Sequence, residues 1–365
     1  MGIAEFLEET VQTELPDCWE DVLNLPLIVY LNQKTRSVIR DSKARGSFGN
    51  LYAIYVLVED YTNKGFTKNS VNYSEYAGMR FADFMRRQRQ LPFGEKLQNH
   101  AINHRCNEEF LKFFPNHPSG PPIIRDKETS GYWINEKLLK TECAGVEINI
   151  ANLIMKIIDR YVELKREGFE KFFQTLLAMA QQTNLDELVE FVRAQLNPEV
   201  DARIFEIISF AILKLAYSGQ TVIWGEDIKS ARPVELILYK TGRTNSNDGG
   251  IDFIMRPTGQ IYQVTEVLDF KKYFLDIDKI NKYPINFVVK IDESPERVLE
   301  LIRVNAERTY KKPNVLRRYL NAFESVITIP TLEQRLKQVI TAGQGQALVE
   351  EIIVQCQVEF NIPIE

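Results

Sequence analysis

Only three histidines and four cysteines occur in the 365 residues. That leaves little room for histidine-based acid–base chemistry or a thiolate metal centre. Cys18, Cys106, Cys143 and Cys356 stand far apart with no C-x-x-C pair, so no disulfide framework or cysteine zinc site is expected and the thiols are expected to be reduced and structural. His100 and His104 are one helical turn apart with Cys106 nearby, but no glutamate follows His100 in the H-E-x-x-H manner and no fourth ligand offers itself. They read as surface or capping histidines. No apolar run reaches the roughly 18 residues of a membrane span. The first stretch, MGIAEFLEETVQTELPDCWED, is acidic and amphipathic rather than basic and then apolar, so it is not a secretory signal, and a cytoplasmic protein is expected. A basic surplus is missing too: 45 Lys and Arg face 50 Asp and Glu, a net charge of −5. Such a balance argues against indiscriminate adhesion to nucleic acid but not against specific binding, because local basic patches meet phosphates. There is no internal repeat or low-complexity tract.

An apolar fraction of 44% with 26% charged residues is ordinary for a folded soluble chain, and the length suffices for two domains. The first half, residues 1–196, reads as mainly helical, a DNA-recognition and dimerisation region. Two helical pieces flank Pro16, and a basic connection, KTRSVIRDSKAR, leads to the continuously apolar LYAIYVLVEDY, a buried helix ending near Gly65. Ser74 is placed to cap a helix that ends in Arg86, Arg87 and Arg89, and a second helix is expected from Glu95 to Phe114. Two helices joined by a short Pro/Gly turn, one carrying an arginine cluster, suit DNA contact. The plainer reading is that these cations complement the helix dipole. IIRDKETSGYWINEKLLK suggests a hairpin plus a helix, and residues 148–182 one long helix.

After Asn197 and Pro198 the pattern changes. Residues 197–340 read as helix (200–217, holding the interior acid Glu206), strands, a helix (271–282), a strand (285–291), a helix (295–310) and a strand (325–329); residues 341–365 are an appended helix or strand. This is an α/β fold with a mixed sheet sandwiched by helices, since a tight hairpin gives antiparallel neighbours and a later crossover parallel ones. Its centre is the stretch from Tyr239 to Lys272. A polar loop runs into a short strand with Asp252, Pro257, Thr258 and Gly259 turn the chain, and the return strand alternates. Alternation puts Gln263, Thr265, Val267 and Asp269 on one face, expected to line a cleft, and Tyr262, Val264, Glu266 and Leu268 on the other. One carboxylate and one side-chain carbonyl converging there make an oxygen-only site that suits Mg2+, a cation able to activate water against a phosphodiester. Asp252 as a turn cap and Gln263 as a satisfied polar group is the plainer alternative.

GGID followed 11 residues later by Q-V-T resembles the PD-(D/E)xK nuclease superfamily, in which an acid on one strand is followed on the next by an acid, any residue and lysine. Asp252 matches the first acid and Gln263 the second place, as in the Mrr-type variant, while Thr265 stands where lysine belongs; Lys240 or Lys271 would have to supply it. Glu206 matches an extra acid on the preceding helix. Two other registers stay open: Glu266 opposite Asp252 after a one-residue slip, or Asp269 with Lys271, about five residues, roughly 17 Å, farther on. The phrases ARIFEIISFAILK, LYKTGRTNSNDGGIDF and QVTEVLDFKKYFLDIDK resemble the HaeII-type type II restriction endonucleases over about 80 residues. The resemblance implies Mg2+-dependent cleavage of double-stranded DNA at a short, GC-rich, near-palindromic site, and a cognate DNA methyltransferase as functional companion. A palindrome is matched by a two-fold dimer. Arginine and lysine read guanine and asparagine reads adenine, so Arg243, Asn245 and Asn247, beside the catalytic strand, are candidate DNA contacts against the alternative of a plain polar loop.

Overall fold

The computed structural model describes residues 3–35, 47–67, 73, 76–95, 97–126, 128–181, 184–242, 251–266 and 270–360. The chain forms two compact units, Met1–Phe169 and Glu170–Glu365. The division falls inside a long helix rather than at the Asn197–Pro198 break.

The first unit is helix-rich. It contains α1 (Glu5–Glu14), α2 (Trp19–Leu23), α3 (Pro26–Thr35), α4 (Ser47–Asn63), β1 (Met79–Arg80) and α5 (Phe81–Gln90). A π-helical turn, Ala101–Arg105, then runs into α6 (Cys106–Phe113), followed by β2 (Ile123–Arg125), β3 (Gly131–Ile134), β4 (Lys140–Cys143), β5 (Val146–Asn149) and the start of α7 (Ala151–Gln181). Helix α4 has no polar face between Leu51 and Val58, and all eight residues are buried in the core of this unit. The expected helix ending at Gln90 begins only at Phe81, because Met79 and Arg80 pair with Tyr132 and Gly131 as a sheet edge; Ser74 lies outside the described residues. The next expected helix is also shorter, from the π turn to Phe113.

One expectation about the thiols fails. Cys18 and Cys143, separated by 125 residues in sequence, are joined by a disulfide, while Cys106 and Cys356 are free and buried. Spacing along the chain hid the pair, because the start of α2 and the end of β4 become neighbours only in the folded unit. His100 and His104 pack edge to face, their ring centroids 6.0 Å apart. No group of three histidine, cysteine or acidic side chains able to hold a metal occurs among the described residues.

The second unit is built on a five-stranded mixed sheet. After α8 (Leu185–Ala194) come α9 (Ala202–Tyr217), a two-stranded hairpin of β6 (Thr221–Trp224) and β7 (Arg232–Glu235), and then β8 (Ile237–Lys240), β9 (Phe253–Arg256) and β10 (Gln260–Thr265). There follow α10 (Phe270–Lys279), β11 (Ile285–Val289), α11 (Pro295–Thr309), α12 (Pro313–Leu320), β12 (Phe323–Ile327), α13 (Ile329–Thr341) and α14 (Gly345–Phe360). The sheet order is β12-β11-β10-β9-β8, with β8, β9 and β10 antiparallel and β10, β11 and β12 parallel, so the chain is mixed α/β as expected. Among the described residues, 341–360 are helical only, and α14 packs on α9 within this unit rather than standing apart.

Each sheet face is covered. Helix α9 starts at Asp201, whose carboxylate accepts the Arg203 N–H at 2.9 Å, and it is apolar all round, so it is buried between the sheet and α13 and α14. Phe210 of α9 meets Phe253 at 5.1 Å, and the Tyr217 and Tyr262 hydroxyls are 3.4 Å apart. The other face carries Ile261, Phe287 and Val289 into a cluster with Tyr273, Ile277, Val298 and Ile302 of α10 and α11.

Candidate functional site

The turn between β9 and β10 forms as the sequence suggests. Gly259 takes φ +71°, a left-handed conformation favourable to glycine, and its N–H closes the turn onto the Met255 carbonyl at 2.8 Å. The ladder then pairs Met255 with Gln260, Ile254 with Ile261 and Phe253 with Tyr262.

Just before β9 this register breaks. The Asp252 N–H also donates to the Tyr262 carbonyl, at 2.9 Å, so Asp252 and Phe253 together oppose Tyr262. This is a β-bulge, a feature that re-aims side chains and is common beside active sites. Val264, the next residue of β10 whose N–H points this way, has no backbone acceptor left. The Asp252 carboxylate takes that N–H at 2.6 Å. The Asp252 carbonyl accepts in turn from the N–H of Thr241 at 3.0 Å, and the Thr241 hydroxyl donates to the carbonyls of Ile251 and Asp252. The half-exposed Asp252 is thereby fixed at the point where β8, β9 and β10 meet.

Gln263 follows Tyr262 and stands beside Phe287 in the parallel ladder; Thr265 stands beside Val289. Both were expected to line an open cleft. Instead they are 6% and 1% exposed, because α10 and α11 cover that face. Gln263 spends its amide N–H on the Val264 carbonyl at 3.2 Å, and its Oε1 is buried with no hydrogen-bond partner among the described residues. A buried amide oxygen left bare costs about 1–3 kcal/mol, which makes it a natural acceptor for a ligand.

The other candidates divide between the two faces. Lys240, opposite Phe253 in the ladder, turns toward α9 and lies 3.2 Å from Glu206 and 3.7 Å from Glu359, all three side chains being buried. Glu206 is therefore committed to a lysine on the α9 side of the sheet and is not placed with Gln263. Lys240 is likewise tied to two acids and not free to replace the missing lysine. Cys356, near this cluster, has its thiol pushed up to about 12, chiefly by burial, with Lys240 opposing. Glu266 does not face Asp252 either; it pairs with Lys290 at 3.1 Å. Arg243, Asn245, Asn247, Asp269 and the side chain of Lys271 lie outside the described residues. In the first unit, both guanidinium arms of Arg87 are held by Glu59 at 2.6 Å, Arg86 is 3.0 Å from Asp83, and Arg89 is exposed.

The reading of the sequence passed over Lys290. It sits one residue beyond β11, and its N–H donates to the Thr265 carbonyl at 2.9 Å, so it flanks the position where the lysine was sought. Its side chain is 1% exposed, paired with Glu266 and hydrogen-bonded to the Val200 carbonyl. The signal was present in INFVVKI, a lysine ending an otherwise apolar strand. Asp252, Glu266 and Lys290 thus all attach to positions 264–266, at and just beyond the end of β10. Comparison of the chain with protein-family models, with curated proteins and with solved structures finds no match.

Proposed function

We propose that the second unit is a metal-dependent phosphodiesterase acting on double-stranded DNA, a type II restriction endonuclease of PD-(D/E)xK type. The observation that carries the reading is Asp252, held by a bulge at the meeting of three strands, beside a β10 that buries at Gln263 an amide oxygen with no partner among the described residues. Support also comes from the β9–β10 hairpin, which brings Asp252 next to β10 as the resemblance implies. One carboxylate and one amide oxygen are hard donors that fit Mg2+, and these two residues would hold it. When bound, Mg2+ supplies charge neutralisation at the phosphate and activation of a water. Lys290 and Glu266 pair on the α9 side of the sheet, as Lys240 and Glu206 do, so among the described residues no lysine replaces the missing one on the Gln263 face. A near-palindromic, GC-rich site, a two-fold dimer and a companion methyltransferase belong to the same proposal.

The test is digestion of plasmid DNA with Mg2+. Wild-type chain is expected to give defined fragments and Asp252→Ala none, with both proteins equally folded by circular dichroism. Cutting by Asp252→Ala at the wild-type rate overturns the assignment. A second reading, a nuclease-like module that binds DNA without cutting it, is favoured by the burial of Gln263 and Thr265 and by Glu206 being spent on Lys240. Specific binding with no cleavage in Mg2+ or Mn2+ would select it. A modification-dependent nuclease would instead cut methylated DNA only.

A further inference from the structure

The β6–β7 hairpin leaves the sheet between α9 and β8 and exposes large apolar side chains: Ile223 at 68%, Trp224 at 48% and Ile228 at 96%. Among the described residues it is a two-stranded sheet by itself. An isolated two-stranded hairpin is marginally stable at best in water, so an arm of this kind gains from a partner. The tip is tightly closed, since a Cβ on Gly225 would come within 2.5 Å of the Ala231 nitrogen.

Its hydrogen-bond parity identifies the open side. The Leu236 N–H donates to the Gln220 carbonyl at 2.8 Å, which makes that a hydrogen-bonded pair. By alternation Val222 and Val234 form another, while Thr221–Glu235 and Ile223–Pro233 are the intervening non-bonded pairs. The N–H and C=O groups of Thr221 and Ile223 therefore point away from β7. On the outer edge of β7 the corresponding position is Pro233, which has no N–H, and an edge proline blocks strand addition. Strand β6, T-V-I-W, carries no such block and no charge.

We infer that β6 is a dimerisation edge on which β6 of a second copy of this chain adds antiparallel about a two-fold axis. A strand meeting itself in this way presents matching rows of donors and acceptors, which a two-fold interface requires. The exposed Ile223 and Trp224 lie on the strand that would be covered. The hairpin carries Glu226, Asp227 and Glu235 against Lys229 and Arg232, and this mixed, slightly acidic surface disfavours a polyanion such as DNA as the occupant. Glu226, Lys229 and Arg232 have no ion-pair partner among the described residues, so charges of both signs are available to a second copy.

A two-fold dimer also belongs to the nuclease reading, but the assignment of its edge rests on β6 alone, and its test uses neither DNA nor metal. Sedimentation of the full chain should give twice the monomer mass. Ile223→Pro removes an outward-pointing N–H and an exposed side chain without touching a hydrogen bond to β7, as Pro233 shows across the ladder, and should return the chain to monomer with the circular dichroism of wild type. Hydrogen exchange keeps the proposal testable if that variant misfolds: the amides of Thr221 and Ile223 should exchange several-fold more slowly at concentrations where the dimer forms than where it is diluted apart. A monomeric wild type overturns the proposal. So does a dimer that persists in folded Ile223→Pro, or exchange at these two amides that does not change with concentration. Asp252→Ala should dimerise normally, so failure of the dimer and failure of the nuclease reading are separately visible.

Discussion

Lys290 and Glu266 form a buried ion pair whose separate removal and joint removal should differ sharply. The side chains are 1% and 10% exposed and 3.1 Å apart, and the Lys290 ammonium also donates to the Val200 carbonyl at the entrance to α9. Lys290→Met strands the Glu266 carboxylate without its partner and the Val200 carbonyl without a donor. Breaking a buried pair from one side costs about 3–5 kcal/mol. A domain the size of the second unit loses roughly 2–4 °C of Tm per kcal/mol, giving an expected fall of about 6–20 °C. Glu266→Leu should cost a comparable amount, because it leaves a lysine buried. The double variant Lys290→Met/Glu266→Leu removes both charges together, and its residual cost is that of the bare Val200 carbonyl, about 1–3 kcal/mol. Differential scanning calorimetry of the four proteins measures the cycle. A Lys290→Met melt within 2 °C of wild type, to take roughly one kcal/mol as the threshold, would refute the reasoning, as would a double variant no more stable than the worse single one.

Other consequences can be checked more simply. Denatured, unreduced chain should show two titratable thiols, Cys106 and Cys356, and four after reduction; native chain should react slowly because both thiols are buried and pushed up to about 12, chiefly by burial. Burial raises the phenols of Tyr30, Tyr52, Tyr73 and Tyr262 above their ordinary value of 10.0 and that of Tyr55 to about 12. Above pH 10 the unfolded chain sheds these protons first. Stability is therefore intact below that pH and falls as pH rises, by about 1.4 kcal/mol per pH unit for each such phenol, so the tyrosinate absorbance of these five phenols should appear together with unfolding rather than gradually. Asp252→Asn keeps an acceptor for the Val264 N–H and should cost only about 1 kcal/mol, while abolishing Mg2+-dependent cleavage. Arg87→Ala should lower stability by about 1–3 kcal/mol through loss of the Glu59 pair and leave DNA affinity unchanged; a drop in affinity would return Arg87 to the DNA-contact role.

What could be read in the sequence was whatever local chemistry decides. The turn at Pro257–Gly259, the strand at Ile261–Thr265 and the helix over 200–217 are written in neighbouring residues, and they formed there. Burial of the polar face of β10 was not legible, because it depends on α10 and α11 folding over Gln263 and Thr265. The same limit applied to the cations. Lys240 and Lys290 each end a strand segment, but only the position of α9 decides that one meets Glu206 and Glu359 while the other meets Glu266. Asp252 shows the limit most clearly. An ideal ladder would place it squarely opposite Gln263, but the added residue of a bulge turns a simple alternation argument into one about which N–H is left over. That N–H belongs to Val264, and the carboxylate that caps it is positioned by backbone accounting rather than by any motif. A variant that restored regular pairing at 252–253 would free the Asp252 carboxylate from the Val264 N–H and re-aim it, and on the nuclease reading would cost activity while leaving Gln263 in place.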